Sequence, residues 1–239
     1  MNQQTIPAPG GPGAVFARPP RPRDAATLAL VRRTAGKPEI LLGQRARGHV
    51  FMPDKWVFPG GRVDPADGAA RAASELDGET EALLRLEHGG RRKPRAFALA
   101  AVREMFEEAG LVIGRPHAPA RGVPPRGWAA YAALGAAPEL DKLTFIARAI
   151  TPPTVRSRRF DARFFMARAE DVLLDDRPIA GDQELLHMRW FDLEEAAHLD
   201  LPTITRFVIA EVDRRLAGET LRPAFVRTVR GKRELTARL

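Results

Sequence analysis

Apolar positions along the chain follow three patterns, and each predicts a different kind of element. Dense apolar runs at 27–33 (TLALVRR) and 39–45 (EILLGQR) read as the two strands of a hairpin across Ala35-Gly36-Lys37-Pro38, with ordered structure expected from Ala25. Similar runs at 143–150, 160–167 and 186–191 predict further strands, and 224–228 predicts a last one in the basic tail. Helical spacing is clearest at 94–109. There Phe97, Ala101, Met105 and Ala109 form one apolar stripe on a helix that opens on Pro94 and stops at Gly110. Asp192 is placed to cap a short helix at 193–197, and a final helix follows Pro202 over 204–216.

The third pattern is interruption. Residues 48–67 form a loop-rich stretch with extended pieces at 56–59 and 62–63, and Gly60-Gly61 marks a tight turn where backbone passes close to something. Residues 69–93 predict two short helical pieces broken at Gly78 and at Gly89-Gly90. The 115–138 stretch carries eight Gly or Pro and reads as a long loop or a weak helix around 127–134. Residues 1–23, with six Pro and three Gly, read as a disordered lead-in, which leaves 24–239 as a single domain with an insertion at about 69–94. Because hairpin-like loops and helices both separate the strands, the expected fold class is α/β, a mixed sheet with helices on its faces.

Composition narrows the chemistry. A chain of 239 residues at 44% hydrophobic suffices for one sizeable core. The absence of Cys excludes disulfides, thiolate metal sites and Cys nucleophiles. No apolar run approaches the ~20 residues of a membrane span, and the N-terminal stretch lacks the apolar core of a signal peptide. The expectation is a cytoplasmic protein with no membrane partner. The closing Ala237-Arg238-Leu239 matches a peroxisomal address only loosely, and the Arg/Ala/Pro-rich composition points to a bacterium. The net charge of +8 comes mostly from Arg, which suits bidentate grips on phosphate. The basic residues are scattered, without the compact basic-aromatic surface that nucleic-acid binding calls for.

Candidate chemistry concentrates on the 94–109 helix. Glu104, Glu107 and Glu108 stand at i, i+3 and i+4, so all three carboxylates share one side. Like charges so gathered repel. Either they form an ordinary solvated patch with Arg103 as an ion-pair partner, or a hard cation such as Mg²⁺ or Mn²⁺ offsets the repulsion while Arg103 orients one of them.

The nine residues Arg103 to Leu111 (REMFEEAGL) resemble the second half of the Nudix hydrolase signature at every specified position. Gly61 followed by five residues and Asp67 resembles the first half, with Asp where the family usually has Glu. Trp56-Val57-Phe58-Pro59-Gly60-Gly61 resembles the family's entry into the signature loop. Between Asp67 and Arg103 the chain places Gly68 to Val102, 35 residues where the common form has seven. A split of this kind is similar to the branch that includes peroxisomal coenzyme A diphosphatases and their bacterial relatives. The passages 48–54 (GHVFMPD), 151–153 with 158–165 (RRFDARFF), and 184–190 look like that branch too.

The resemblance implies an α/β/α sandwich with a mixed sheet, a helical insertion in the signature and a C-terminal helix. It also implies a hydrolase that uses Mg²⁺ or Mn²⁺ to cleave the pyrophosphate of a nucleoside diphosphate derivative. Coenzyme A or acyl-coenzyme A, giving 3′,5′-ADP and 4′-phosphopantetheine, is the first expectation; ADP-ribose, NADH or another derivative, or a non-catalytic nucleotide sensor, are the alternatives. Arg103, Glu104, Glu107 and Glu108 carry the implied catalytic roles. The implied metal shell is Glu104, Glu107 and Glu108 with the Gly61 carbonyl. The general base is not fixed by the signature, and Glu139, Asp182 and Glu184 stand as candidates. Arg45, Arg47, Lys55, Arg62, Arg158 and Arg159 are the cations available to a phosphate-rich substrate. Trp56 and Phe58 are expected to pack beneath the signature loop, and His49 to contact substrate or make a structural bond. The inserted 73–86 segment is read as a wall or a lid. Family members are often dimers, so the expected partners are a small nucleotide and a second copy of the chain.

Overall fold

Strands buried on both faces organise the molecule. In β1 (Arg23–Thr34), Ala26, Leu28 and Leu30 point into one core cluster while Ala29 and Val31 point into another. Opposite faces follow from the period of two. The computed structural model describes residues 19–48, 52–88, 92–118, 122–155, 158–177, 179–180, 184–220, 222–229 and 232–238. Most of the expected lead-in, His49, the Gly89-Gly90 break and Asp182 lie outside them.

β1 turns at Ala35-Gly36, both at positive φ, into β2 (Lys37–Arg45), as the hairpin reading requires. Two short strands, β3 (Trp56–Val57) and β4 (Gly60–Arg62), come next. After a 3-10 turn at Asp67–Ala69 come α1 (Gly78–His88) and α2 (Pro94–Ala109). The small pieces β5 (Arg115–Pro116), α3 (Ala129–Ala133) and β6 (Ala136–Ala137) lead into β7 (Thr144–Ile150) and β8 (Phe160–Arg168). The chain continues with α4 (Ala169–Val172), β9 (Leu185–Asp192), α5 (Leu193–Ala197), α6 (Thr203–Leu216), β10 (Ala224–Val229) and β11 (Lys232–Arg238).

The sheet runs β11-β10-β7-β8-β1-β2, with β9 on the far side of β2. β1 is parallel to β8 and β10 to β7, and the other pairings are antiparallel, so the sheet is mixed. α2 covers the face bearing Leu28, Leu41 and Phe165, and α6 covers the face bearing Ile40, Leu42 and Phe164. This is the α/β/α sandwich that the resemblance implied. The feature that builds the site is a split. β1 and β2 pair only from Val31↔Ile40 to Thr34↔Lys37; beyond that, β4 pairs with β1 at Thr27↔Gly60 and β3 with β2 at Gly43↔Val57. The 56–62 loop is wedged between the two diverging strands. Phe58 is buried in the core below it, and Trp56 meets Phe191 edge-on.

Three expectations need correction. The strand β1 begins at Arg23 rather than Thr27, ahead of the Ala25 expected as the start of order. Gly78 opens α1 instead of dividing two helices, because 70–77 forms no helix and its polar groups bond elsewhere. Ala73 N–H donates to Pro138 O at 2.7 Å, Arg115 donates to Ala73 O at 3.0 Å, and the Ser74 hydroxyl bonds Asp141. This part of the insertion is a wall pinned to the 115–141 segment. Finally, the α2 stripe of Phe97, Ala101, Met105 and Ala109 is buried as expected, but burial extends well beyond it. Ala96 to Val102 are buried without a gap, since the insertion and the 115–141 segment cover the side turned away from the sheet.

Candidate active site

α2 keeps the boundaries its sequence predicts. Pro94 sits in the first turn, and Gly110 closes the helix at φ 70°, its N–H donating to Phe106 O at 2.9 Å. The helix presents its acidic end to the wedged loop. Glu108 Oε2 accepts a 2.7 Å hydrogen bond from Gly60 N–H. A Cβ on Gly60 would stand 2.7 Å from Ala26 O, and one on Gly61 2.5 Å from the Glu104 carboxylate. The first, against backbone, leaves no room for a side chain, and the second would displace the Glu104 carboxylate; this is the close passage that the Gly pair foretold.

One guanidinium ties the split signature together. Arg103 Nε donates to Asp67 Oδ1 at 2.8 Å, and Nη2 donates to Asp67 Oδ2 at 3.2 Å and to Arg62 O at 3.0 Å. Nη1 reaches Glu104 Oε1 at 2.8 Å and Glu107 Oε2 at 2.7 Å. Asp67 is fully buried, so the Asp that replaces the family's Glu orients Arg103 from beneath. The insertion leaves and returns without disturbing this geometry. Trp128 Nε1–H donates to Asp67 Oδ1 at 3.0 Å, a contact that nothing in the local sequence foretells across 61 positions.

The carboxylates are not equivalent. Glu108 is buried, Glu104 keeps 15% of its side chain exposed, and Glu107 is 42% exposed; Glu104 and Glu107 both turn to Arg103. Burial pushes the Glu104 carboxyl up to about 7; Arg103 opposes the shift, and Glu107 and Glu184 add to it. Glu108 is raised well above the carboxylate range, first by burial and then by Glu104, against the Gly60 N–H and Arg45. Burial works against the Arg103 cation, but Asp67, Glu104 and Glu107 outweigh it and strengthen its hold on the proton.

A carboxylate pair beside a glycine cradle fits a hard divalent cation. Among the described residues no three His, Asp or Glu side chains already converge as ligands, which matches the turn of Glu107 toward Arg103.

The six expected substrate cations do not form one patch. Arg45 is at the site: its Nη1 meets Glu184 Oε1 at 3.1 Å, and the charges of both residues reach Glu108. Arg47 is 91% exposed beside Asp54 at 3.4 Å, and Lys55 pairs with Asp200 at 2.5 Å. Arg62 is exposed and uses its carbonyl, not its charge, toward Arg103. Arg158 is exposed. Arg159 donates to Thr151 O at 3.1 Å and Pro20 O at 2.8 Å, next to Arg23, whose N–H bonds Arg159 O. That is four residues along β1 from the Gly60 level, about 13 Å at strand rise. Of the candidate bases, Glu139 pairs with Arg115 at 3.4 Å, while Glu184 is close enough to act on both Glu104 and Glu108.

This fold, with a carboxylate-bearing helix set against a glycine loop, is that of a class of hydrolases, and the comparisons agree. The chain is 28% identical to a NUDIX hydrolase from Alicyclobacillus acidocaldarius, whose crystal structure superposes with a TM-score of 0.56 over 80% of this chain and 90% of that one. A MutT/nudix family protein from Enterococcus faecalis shares the fold at a TM-score of 0.50 and 15% identity, over 92% of this chain and 68% of that one. An acyl-coenzyme A diphosphatase of Gallus gallus is 31% identical over 128 residues, 39% of this chain and 34% of that relative, so the chain matches about a third of the relative's length. No family model matches the chain. The chain belongs to the Nudix hydrolase superfamily.

Proposed function

We propose that the protein hydrolyses the pyrophosphate bond of a nucleoside diphosphate linked to a further group, with coenzyme A or an acyl-coenzyme A as the first substrate to test. The observation that carries the reading is the Glu104–Glu108 pair against Gly60-Gly61, whose carboxyls burial and neighbouring carboxylates hold above their ordinary range, a cost that a bound cation would relieve. Bound Mg²⁺ or Mn²⁺, held by Glu104, Glu107, Glu108 and the Gly61 carbonyl, would supply charge neutralisation at the pyrophosphate and a more acidic water. The chain's own groups do the rest. Gly60 N–H fixes the Glu108 carboxylate, and Arg103 holds Glu104 and Glu107 on one guanidinium. Arg45 is the site's second cation and compensates charge that builds on phosphate oxygens. We assign proton acceptance from the attacking water to Glu184, the one candidate base among the described residues whose charge reaches the pair.

The coenzyme A choice is supported by the similarity to the Gallus gallus acyl-coenzyme A diphosphatase and by the position of the insertion, and less strongly than the reaction class. A substrate panel with Mg²⁺ and Mn²⁺, with products identified by mass, tests both levels. Release of 3′,5′-ADP and 4′-phosphopantetheine is the expected result. Turnover of ADP-ribose, NADH or a dinucleoside polyphosphate without coenzyme A would overturn the substrate and keep the class. Failure on every nucleoside diphosphate derivative would overturn the class and favour a nucleotide-sensing module.

A further inference from the structure

The Asp67 carboxylate is saturated. An ionised carboxylate offers about four lone-pair positions. Here Oδ1 accepts from Arg103 Nε at 2.8 Å and Trp128 Nε1 at 3.0 Å, and Oδ2 from Asp64 N at 2.8 Å and Arg103 Nη2 at 3.2 Å. The group is fully buried and Trp128 is 3% exposed, so water cannot replace a lost donor. Trp128 is itself held. It meets Tyr131 edge-on with ring centroids 5.3 Å apart, and the Tyr131 hydroxyl bonds Ile113 O. Its neighbour Gly127, at φ 83°, lies against Arg103 and Glu107: a Cβ there would stand 3.2 Å from Arg103 Cδ and 3.9 Å from Glu107 Oε1. The segment carrying Trp128 is the one to which the insertion is pinned through Ala73 and Ser74.

We propose that Trp128 is a positioning residue of the carboxylate site, whose indole N–H fixes Asp67 and through it the Arg103 guanidinium that holds Glu104 and Glu107. The residue touches neither metal nor substrate. It supplies the fourth bond to a carboxylate one methylene shorter than the family's Glu, and it gives the pinned insertion a mechanical link to the chemistry. The role rests on the pyrophosphatase reading only in its kinetic arm.

Trp128→Phe keeps the ring contact with Tyr131 and deletes the donor. Two readouts apply to the full chain. In the first, the indole N–H resonance of Trp128, assigned by its loss in Trp128→Phe, moves on Asp67→Asn and moves again on Mg²⁺ titration. The Mg²⁺ response disappears in Glu108→Gln. An indole signal indifferent to both Asp67→Asn and Mg²⁺ overturns the proposal even if no substrate has been found. In the second, kcat falls about tenfold in Trp128→Phe with KM within twofold, and the double variant with Asp67→Asn is no slower than Asp67→Asn alone. Additive losses, or unchanged kcat in a folded Trp128→Phe, overturn it. If the first readout succeeds and no variant or parent turns over substrate, the failure belongs to the functional reading and not to Trp128.

Discussion

Two buried charge clusters flank the same helix and are balanced in opposite ways. Near the start of α2, Arg163 is fully buried with its guanidinium 4.4 Å from the Phe97 ring centroid. It reaches Asp161 Oδ1 at 3.0 Å and Asp24 Oδ1 at 3.5 Å; Arg148 closes on Asp161 at 2.7 Å and Arg92 on Asp24 at 2.8 Å. Every carboxylate there has a cation on each side. Near the end of α2, Glu104 and Glu108 lie with Glu184 close by; the Arg103 guanidinium is divided among Asp67, Glu104 and Glu107, and Arg45 is engaged with Glu184. The first cluster joins β1, β8 and the end of the insertion and is a structural rivet. In the second, Asp67, Glu104 and Glu107 share the one Arg103 guanidinium, and burial holds the Glu104 and Glu108 carboxyls above their ordinary range, the imbalance on which the proposed cation site rests. Unbalanced charge in an otherwise well-paired core separates function from architecture.

The comparison breaks most visibly at the rivet. Arg163→Met takes one of two cations from each of two carboxylates, which keep Arg148 and Arg92, and loses charge-assisted hydrogen bonds of about 1.5–3 kcal/mol each. We expect a loss in Tm on the order of 10 °C, with kcat per folded molecule unchanged; an unshifted Tm would show the network to be idle. Next in size is the pH response of the metal-free protein. The Glu104 carboxyl is held at about 7, above its ordinary 4.5, so the native state binds more protons than the unfolded chain between these values. Stability is therefore full below about pH 4.5 from this group and declines as pH rises through 7. A melting series should lose several degrees from pH 5 to pH 8, and Mg²⁺ should restore more at pH 8 than at pH 5. A flat or rising series contradicts the raised Glu104 carboxyl. The smallest effects belong to the exposed cations: Arg47→Ala and Lys55→Ala remove surface pairs and should change stability by under about 0.5 kcal/mol.

Legibility in the sequence follows the range of the forces involved. Local signals held to within a residue or two: Pro94 and Gly110 bound α2, Asp192 caps α5 by accepting from Glu195 N–H at 2.6 Å, and Pro202 precedes α6. The Gly pair announced a close approach, and the signature spacing located the carboxylate helix. What failed to show is non-local. The 70–77 stretch has helical composition but bonds to distant residues, Ala73 to Arg115 and Pro138 and Ser74 to Asp141. β10 falls on the strand expected at 224–228, but β11, which pairs with it at the sheet edge, had no signal in the basic tail. Equal roles for Glu104, Glu107 and Glu108 follow from helical spacing alone; unequal burial comes from which of them the wedged loop covers. Trp128 carries no motif, and its bond to Asp67 is visible only in three dimensions.

The central claim is that Glu104 and Glu108 weaken the fold in order to hold a cation, and Glu108→Gln tests it most directly. A Gln keeps an acceptor for Gly60 N–H and gives Glu104 a donor in place of a charge. Melting temperature without metal and hydrolysis with Mg²⁺ should be measured on the same preparation at pH 8. The account predicts a Tm several degrees above the parent and turnover lower by at least about a hundredfold. A lower Tm, or turnover near that of the parent, would contradict it.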